Sequence, residues 1–174
     1  MIKQGVKAVR DNAPNTKIML HYAGHEYAVT FFSQFTSVDY DIIGLSYYPI
    51  WHGKSIDALQ NNLNAIGTQF NKDIVIAETS YPFTFGYNDY TNNIIGSANQ
   101  ILPEFAATPA GQLQYLQKLK SVISAAPKGI GFCYWGGDWV AFLGPTSTNG
   151  SSYENQALWD FNNTALPALG VFKD

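Results

Sequence analysis

The sequence has few of the residues that form disulfides, bind nucleic acid or span membranes. Its single cysteine excludes an intrachain disulfide and a cysteine-built zinc site. The 10 Lys and Arg stand against 13 Asp and Glu, for a net charge of −3, and no basic run is present that could neutralise a phosphate backbone. No apolar run approaches the roughly 20 residues of a membrane span. We therefore expect no nucleic-acid partner and no membrane partner.

Motifs of nucleotide binding and of serine hydrolases are also missing, since the sequence has no GxGxxG, no GxxxxGK[ST] and no GxSxG. His21 and His25 flank the tripeptide YAG, a spacing that differs from the helical HExxH zinc motif. The opening residues, MIKQGVKAVRDNAP, predict a short amphipathic helix and not a signal peptide with a charged start and an apolar centre. The sequence accordingly predicts no cofactor and no metal.

Aromatic residues are abundant, at 15% of the chain against 13% for charged residues. The chain has 11 Tyr, 11 Phe and 4 Trp. Aromatic rings fill protein cores, and Tyr and Trp also serve binding surfaces because they carry a polar group beside a large apolar face. The composition favours a large core or a surface for a neutral ligand.

The apolar residues follow the pattern of a parallel α/β sheet. Near-continuous apolar runs are typical of strands that are buried on both faces. Four such runs occur, KIMLHY (17–22), DIIGLSYY (41–48), DIVIAET (73–79) and GIGFCYW (129–135). Helical patterns lie between them, at 25–35, after Ser55 and from Thr108 and Pro109 onward. This alternation predicts one α/β domain over residues 1–174, with parallel strands joined by helical crossovers.

The connections that follow strands are much longer than those that precede them. The two longest connections, 80–107 and 136–155, both begin where a predicted strand ends. Long loops in compact domains are usually functional, and α/β folds carry their sites at the carboxyl ends of strands. We therefore expect one elaborate, functional face.

Glu78 is the most informative of the four glutamates because it ends the apolar strand IVIAE, where an unpaired charge would be costly. It is either a capping or ion-pairing carboxylate or a catalytic group on a barrel rim. Asp138, Glu154 and Asp160 lie in loops, and we expect them to be solvated. Cys133 lies within a predicted strand, and we expect an inert core thiol.

Aromatic residues gather at two other strand ends. In SYYPIWH, strand alternation sends Ser46 and Tyr48 to one side and Tyr47 to the other, and Trp51 and His52 are expected on the rim. In CYWGGDW, two glycines separate Trp135 from Trp139, which allows two indoles to angle over a cleft. Simple core packing is the alternative for these aromatics.

Several stretches together resemble glycoside hydrolase family 53, the endo-β-1,4-galactanases. The matching stretches run through nearly the whole chain, as KIMLH, DYDIIGLSYYPIWHG, DIVIAETSYPFT, TPAGQ, GFCYWGGDWV and NQALWDF. The resemblance implies a (β/α)8 barrel of which this chain supplies strands 5 to 8, with helices on one side. A whole barrel takes about 250 residues.

The resemblance also implies roles for individual residues. Glu78 matches the catalytic nucleophile, Tyr48 the tyrosine that hydrogen-bonds it, and Trp135 the tryptophan beneath the reacting sugar. The remaining substrate-binding residues that it implies are His21, Ser46, Trp51, His52 and Trp139. The acid/base glutamate of the family follows an asparagine on strand 4, and the sequence has no Asn-Glu pair. Some members hold calcium in the loop after strand 8, which here begins with Gly136, Gly137 and Asp138. No dense ligand pattern is present there, and no metal is predicted.

Three functions remain open at this point. The first is the C-terminal half of a retaining endo-β-1,4-galactanase, which acts on galactan-type polysaccharide with a missing N-terminal half-barrel or a second copy. The second is a non-catalytic carbohydrate-binding half-barrel, and the third an independent doubly wound α/β domain. The family is mostly extracellular, which implies a secreted or periplasmic parent enzyme.

Overall fold

The four apolar runs form one sheet in the computed structural model, which describes residues 1–173. Its strands are β1 (Met19–Tyr22), β2 (Ile42–Ser46), β3 (Asp73–Thr79) and β4 (Gly129–Tyr134), in the spatial order β1-β2-β3-β4. Neighbours in space are thus neighbours in sequence, as right-handed crossovers of a parallel sheet produce. The predicted order of strands is confirmed, with each strand equal to its apolar run or up to three residues shorter.

Within the described residues, five α-helices precede, separate or follow these strands. They are α1 (Ile2–Asn12), α2 (Ala28–Ser33), α3 (Pro49–His52), α4 (Ile56–Phe70) and α5 (Pro109–Ala125). Short 3₁₀ helices cover Ala98–Gln100, Glu154–Gln156 and Pro167–Phe172. The helix α4 starts directly after Ser55, and α5 starts at Pro109, where the missing N–H is tolerated. The sequence did not predict α3, a single turn that begins at Pro49.

The chain divides into two compact units. The first, called here the sheet unit, comprises residues 1–47, 56–78 and 122–133. Its core combines isoleucine and leucine side chains of β2 and β3 with the apolar stripe of α4, and all of these are fully buried. They are Ile43, Leu45, Ile74, Ile76, Leu59, Leu63 and Ile66. The spacing of the three α4 residues by four and three positions explains why this segment is helical.

The second unit, called here the loop unit, comprises residues 48–55, 79–121 and those from 134 onward. It contains both long connections and most of α5. Its core is aromatic: the rings of Tyr81 and Tyr115 stack with centroids 4.2 Å apart, and Phe105 packs against both. The high aromatic content therefore serves the core of this unit in part.

The sheet has two edge strands, β1 and β4. Large apolar side chains are exposed on both, since Met19 is 44% exposed and Ile130 57%. Cys133 of β4 is also exposed, so the prediction of a buried thiol is wrong. An edge strand lacks the second neighbour that covers a central strand, which leaves its side chains open to solvent.

An ion-pair network joins α1 to the start of β2 within the sheet unit. Asp41 accepts hydrogen bonds from the Arg10 guanidinium and from the Ile18 N–H, both at 2.8 Å. Arg10 also donates to Asp39 at 2.7 Å. The hydrogen bonds from Arg10 and Ile18 lower the pKa of Asp41 to about 2, because they favour its charged form.

Among residues 1–173, none of the helices is both long enough and apolar enough to cross a bilayer.

Candidate functional site

A register shift in the sheet orients Glu78. Leu45 of β2 pairs with Ile76 of β3, but the next residue, Ser46, pairs with Glu78. Ala77 is thus an extra residue on β3, which is the pattern of a β-bulge. Because side chains alternate along a strand, Glu78 would lie on the opposite face from Ala77 if the pairing were regular. The bulge instead brings it to the face that Ser46 shares.

The burial pattern of β3 agrees with this shift. Ile74 and Ile76 are buried and Val75 and Ala77 are intermediate, as strict alternation requires. Glu78 follows with a side chain that is 33% exposed, and Thr79 is buried. Ala77 and Glu78 are thus two successive residues of intermediate burial, and the alternation of buried and exposed side chains changes phase between them. The carboxylate is therefore accessible to solvent, although it ends a buried strand.

Three of the predicted site residues come together in the sheet unit. His21 Nε2 lies 2.9 Å from Ser46 Oγ, and His21 Nδ1 lies 4.0 Å from Glu78 Oε1. Ser46 is 2% exposed, whereas the His21 side chain is 32% exposed. The imidazole is thus placed between a buried hydroxyl and an accessible carboxylate. His25, by contrast, is buried and hydrogen-bonded to Asn62 at 2.7 Å.

Three further predicted residues form a cluster in the loop unit around the single turn of α3. The Tyr48 N–H donates to His52 Nδ1 at 3.0 Å, which orients the imidazole. The Trp51 ring packs edge-on against the ring of Tyr48, with centroids 5.2 Å apart. Tyr48 is buried, but Trp51 is 53% exposed. Pro49 starts this turn, which carries Trp51 and His52 out from the strand end.

The other two predicted tryptophans also contact each other in the loop unit. Trp135 and Trp139 have ring centroids 5.6 Å apart, and Tyr153 packs on Trp139 at 5.4 Å. Both indoles are about two-fifths exposed. The backbone N–H of Trp135 donates to the backbone carbonyl of Thr79 at 2.8 Å. This hydrogen bond holds Trp135, which follows β4, next to Thr79, which follows Glu78.

A cavity of about 500 Å³ opens beside Trp139 in the loop unit. Its walls combine aromatic rings with hydroxyl groups and one carboxylate. The lining residues are Asp138, Trp139, Val140, Phe142, Gly150, Ser151, Ser152 and Tyr153. Rings, hydroxyls and a carboxylate together suit a neutral polar ligand with apolar faces. The sequence pointed to Trp139 but not to the cavity, because residues 150–153 come from a distant part of the same long loop.

A buried polar network fixes the chain that follows β3. The Ser80 hydroxyl donates to Gln156 Oε1 at 2.5 Å, and Gln112 Nε2 donates to the carbonyls of Tyr81 and Ala157. The Tyr134 hydroxyl donates to the Gln156 carbonyl at 2.7 Å, and its burial raises its pKa. Sequence reasoning missed these residues, although a glutamine inside the stripe of α5 is a visible signal of a buried partner.

The prediction that Glu154 is solvated is wrong, because this residue is only 1% exposed. Burial, together with the nearby charge of Asp89, raises its pKa. One carboxylate oxygen accepts the Asn88 N–H at 2.7 Å, which ties the loop after Glu78 to the 3₁₀ helix that contains Glu154. A charged residue in a loop sequence can thus be an internal support for two long connections.

The same loops contain the oxygen atoms that could hold a cation. Asp89 Oδ2, Asn93 Oδ1 and Glu154 Oε2 are buried and have no hydrogen-bond partner among the described residues. Carboxylate and amide oxygens are the donors that Ca²⁺ takes, so this donor set is chemically compatible with a calcium ion. Across residues 1–173, no three His, Cys, Asp or Glu residues form a metal-binding group by themselves.

The fold matches about half of a (β/α)8 glycoside hydrolase domain. The GH53 catalytic domain of Ignisphaera aggregans superposes with a TM-score of 0.90 at 34% identity, covering 99% of this chain and 50% of that domain. A structure from a study of two fungal β-1,4-galactanases superposes with a TM-score of 0.74 at 23% identity, covering 98% of this chain and 52% of its own length. The second match supports the fold alone.

The chain belongs to glycosyl hydrolase family 53, whose sequence profile matches residues 1–172. It is 37% identical to the arabinogalactan endo-β-1,4-galactanase of Cellvibrio japonicus (strain Ueda107), over 99% of this chain and 48% of that protein. It is 29% identical to the endo-β-1,4-galactanase of Bacillus subtilis (strain 168), again over 99% of this chain and 48% of that protein. The chain therefore spans about half the length of the curated relatives that it matches. The resemblance drawn from the motifs is confirmed.

Proposed function

We propose that this chain is the nucleophile-bearing half of a retaining endo-β-1,4-galactanase, with Glu78 as the nucleophile. The observation that carries the proposal is the position of Glu78, at the carboxyl end of a parallel strand with one third of its side chain exposed. Catalytic residues of (β/α)8 enzymes lie at this end of the strands. Membership of family 53 and the names of the relatives support β-1,4-galactan as the substrate.

In the proposed mechanism, a Glu78 oxygen attacks the anomeric carbon while a second carboxylic acid protonates the departing glycosidic oxygen. The resulting galactosyl-enzyme ester is then hydrolysed by a water molecule that the second carboxylate activates. Retaining enzymes hold the two carboxyl groups about 5–5.5 Å apart. We propose that β1–β4 correspond to strands 5–8 of the barrel, and that the second carboxylate lies on the other half-barrel.

The exposed aromatic residues would bind the sugar chain. Trp51, Trp135 and Trp139 each present between two-fifths and about one half of their surface to solvent, and flat indoles cover the apolar faces of galactose well. We propose that Trp135 lies beneath the reacting sugar and that Tyr48 donates a hydrogen bond to the nucleophile. We also propose His52 as a sugar contact, on a ring that the Tyr48 N–H orients through Nδ1.

The role of Glu78 is tested by substitution in the chain combined with a family 53 N-terminal half-barrel. We expect Glu78→Gln to remove galactan hydrolysis by many orders of magnitude with little change in folding, because covalent catalysis is lost. Azide, as a small external nucleophile, should partly restore turnover by Glu78→Ala. Glu26→Gln is the matched control, since Glu26 is exposed and should leave turnover unchanged. Retention of more than a few per cent of activity by Glu78→Gln would contradict the assignment.

A non-catalytic carbohydrate-binding half-barrel is the second candidate, and the three exposed tryptophans favour it. The two candidates differ in one measurement, because both bind galactan but only the first hydrolyses it once the other half-barrel is present. Binding without hydrolysis by the combined halves would support the second. The doubly wound alternative lacks support, because the fold matches a GH53 catalytic domain over 99% of the chain.

A further inference from the structure

His21 lies between two polar groups that differ in burial and charge. On one side, its Nε2 is 2.9 Å from the hydroxyl oxygen of Ser46, which is 2% exposed. On the other side, its Nδ1 is 4.0 Å from Oε1 of Glu78. The two ring nitrogens therefore have distinct neighbours, and the proton of a neutral imidazole can be on only one of them.

The two neighbours favour opposite roles for the two nitrogens. The serine hydroxyl can donate or accept, whereas an ionised carboxylate can only accept. A proton on Nε2 would leave the Nδ1 lone pair facing the carboxylate oxygen, and the two would repel each other. A proton on Nδ1 points a donor at the carboxylate, and the Ser46 hydroxyl then donates to Nε2. Only this second arrangement satisfies all three groups.

We propose that Ser46 holds His21 in the Nδ1–H tautomer and that His21 acts as a positioning residue for the Glu78 carboxylate. This proposal deepens the proposed function and rests on Glu78 as its nucleophile. A distance of 4.0 Å exceeds a direct hydrogen bond, but a small rotation of the carboxylate or one bridging water closes it. A donor at Oε1 fixes the carboxylate rotamer during attack and stabilises the carboxylate again when the ester is cleaved.

The order of groups, serine to histidine to carboxylate, is also that of the serine hydrolases. Their serine must reach the substrate, and Ser46 is 2% exposed at the end of a central strand. The hydroxyl of Ser46 is therefore a support for His21 and not a nucleophile. A serine-directed fluorophosphonate should leave the chain unlabelled, and labelling at Ser46 would overturn this part of the proposal.

Two substitutions of His21 separate positioning from sugar binding. The amide nitrogen of asparagine occupies about the place of Nδ1, and that of glutamine about the place of Nε2. In the combined half-barrels, His21→Asn should retain kcat within about tenfold, while His21→Gln should lose about 100-fold in kcat with KM little changed, as for removal of one donor to a reacting group. A rise in KM with kcat intact, or equal losses in both variants, would overturn the proposal and identify His21 as a sugar contact.

The tautomer itself can be measured on this chain alone, by two-bond ¹H–¹⁵N NMR of the imidazoles at about pH 9, where histidine side chains are ordinarily neutral. The chain has 3 histidines, and His21→Gln assigns the signal. We expect Nδ1–H in the native chain, a shift toward Nε2–H in Ser46→Ala, and return of Nδ1–H in Ser46→Thr, with dispersed spectra as the folding control. An Nε2–H tautomer in the native chain would overturn the proposal. Because this readout needs no hydrolysis, an inactive enzyme with the Nδ1–H tautomer would refute the proposed function only.

Discussion

The ionisation of Asp41 is linked to the stability of the sheet unit. Its pKa of about 2 lies below the ordinary value of 3.8, because Arg10 and the Ile18 N–H hydrogen-bond its charged form. A pKa lower in the folded state means that the unfolded chain binds the proton more tightly. The stabilisation is therefore complete above about pH 4 and is lost as the pH falls toward 2.

We expect Asp41→Asn to lower the free energy of unfolding by about 1–2 kcal/mol at pH 7, since a charged hydrogen-bonding group is lost. At pH 2 the variant and the native chain should differ much less. Urea unfolding followed by circular dichroism at both pH values measures this. Asp11→Asn is the control, because Asp11 forms only an exposed i,i+4 pair with Lys7 among the described contacts and should change stability by less than about 0.5 kcal/mol. An equal effect of Asp41→Asn at both pH values would contradict the linkage.

Tyr47 and Tyr48 are adjacent but have different surroundings. Tyr47 is fully buried in the sheet unit, where its ring meets that of His25 edge-on at 5.5 Å. Tyr48 follows the strand end and contacts Trp51 and His52. Because Tyr48 is the proposed hydrogen-bond donor to the nucleophile, Tyr48→Phe should lower kcat of the combined half-barrels more than Tyr47→Phe does. A larger loss from Tyr47→Phe would mean that the assignment of the two faces is off by one residue.

At the scale of the elements, the strands and long helices follow from apolar periodicity alone. The four apolar runs predicted β1–β4, and the helical pattern after Ser55 predicted α4, which begins at Ile56. The bulge at Ala77 could not be predicted, because it depends on the pairing of β3 with β2 and leaves no local pattern. Strict alternation does not predict that Glu78 shares a face of the sheet with Ser46, although the chemistry of the site depends on this shared face.

The burial or exposure of single polar residues also could not be predicted from the sequence. Glu154 has the neighbours of a solvated loop residue, but the loop after Glu78 folds over it and buries it. Cys133 sits in an apolar run, but β4 is an edge strand and leaves the thiol exposed. In both cases the environment is created by residues far away in the sequence, whereas local patterns report only on near neighbours.

The helix α4 approaches the chain before β4 so closely that only glycine fits at Gly67. A Cβ on this residue would overlap the carbonyl oxygen of Pro127, and backbone cannot rotate out of the way as a side chain can. We expect Gly67→Ala to lower the free energy of unfolding by about 1–3 kcal/mol, as overpacking does. Denaturant unfolding measures the change.

Gly5 in α1 provides the matched control for Gly67. No heavy atom lies within 4 Å of the position of a Cβ on Gly5. Gly5→Ala should therefore stabilise the chain by about 0.5–1 kcal/mol, since alanine restricts the unfolded state and favours the helix. If both variants were stabilising, the close approach at Pro127 would be unimportant and the packing of α4 would be looser than described.

For the molecule as a whole, the feature that matters most is the pair of unpaired edges on its sheet. Within residues 1–173, β1 and β4 each pair with a strand on one side only, and both expose large apolar residues, Met19 and Ile130. Natural sheets protect such edges with lysine, proline or bulges, and β1 and β4 contain no lysine or proline. The chain also spans about half of its relatives, in which a barrel closes without edges.

We therefore predict that the purified chain alone neither cleaves galactan nor stays monomeric. Size-exclusion chromatography with light scattering should give dimers or larger species, since in the purified chain a second copy can cover the edges. Ile130→Lys, which places a charge on the β4 edge, should shift the distribution toward monomer by at least severalfold in dissociation constant. Ile2→Lys is the control, because Ile2 is 39% exposed on α1 and should leave the distribution unchanged. Association would not restore hydrolysis, because each copy brings another Glu78 and not the second carboxylate. A folded monomer that cleaves galactan would contradict both the assignment to half a barrel and the need for a carboxylate from the other half.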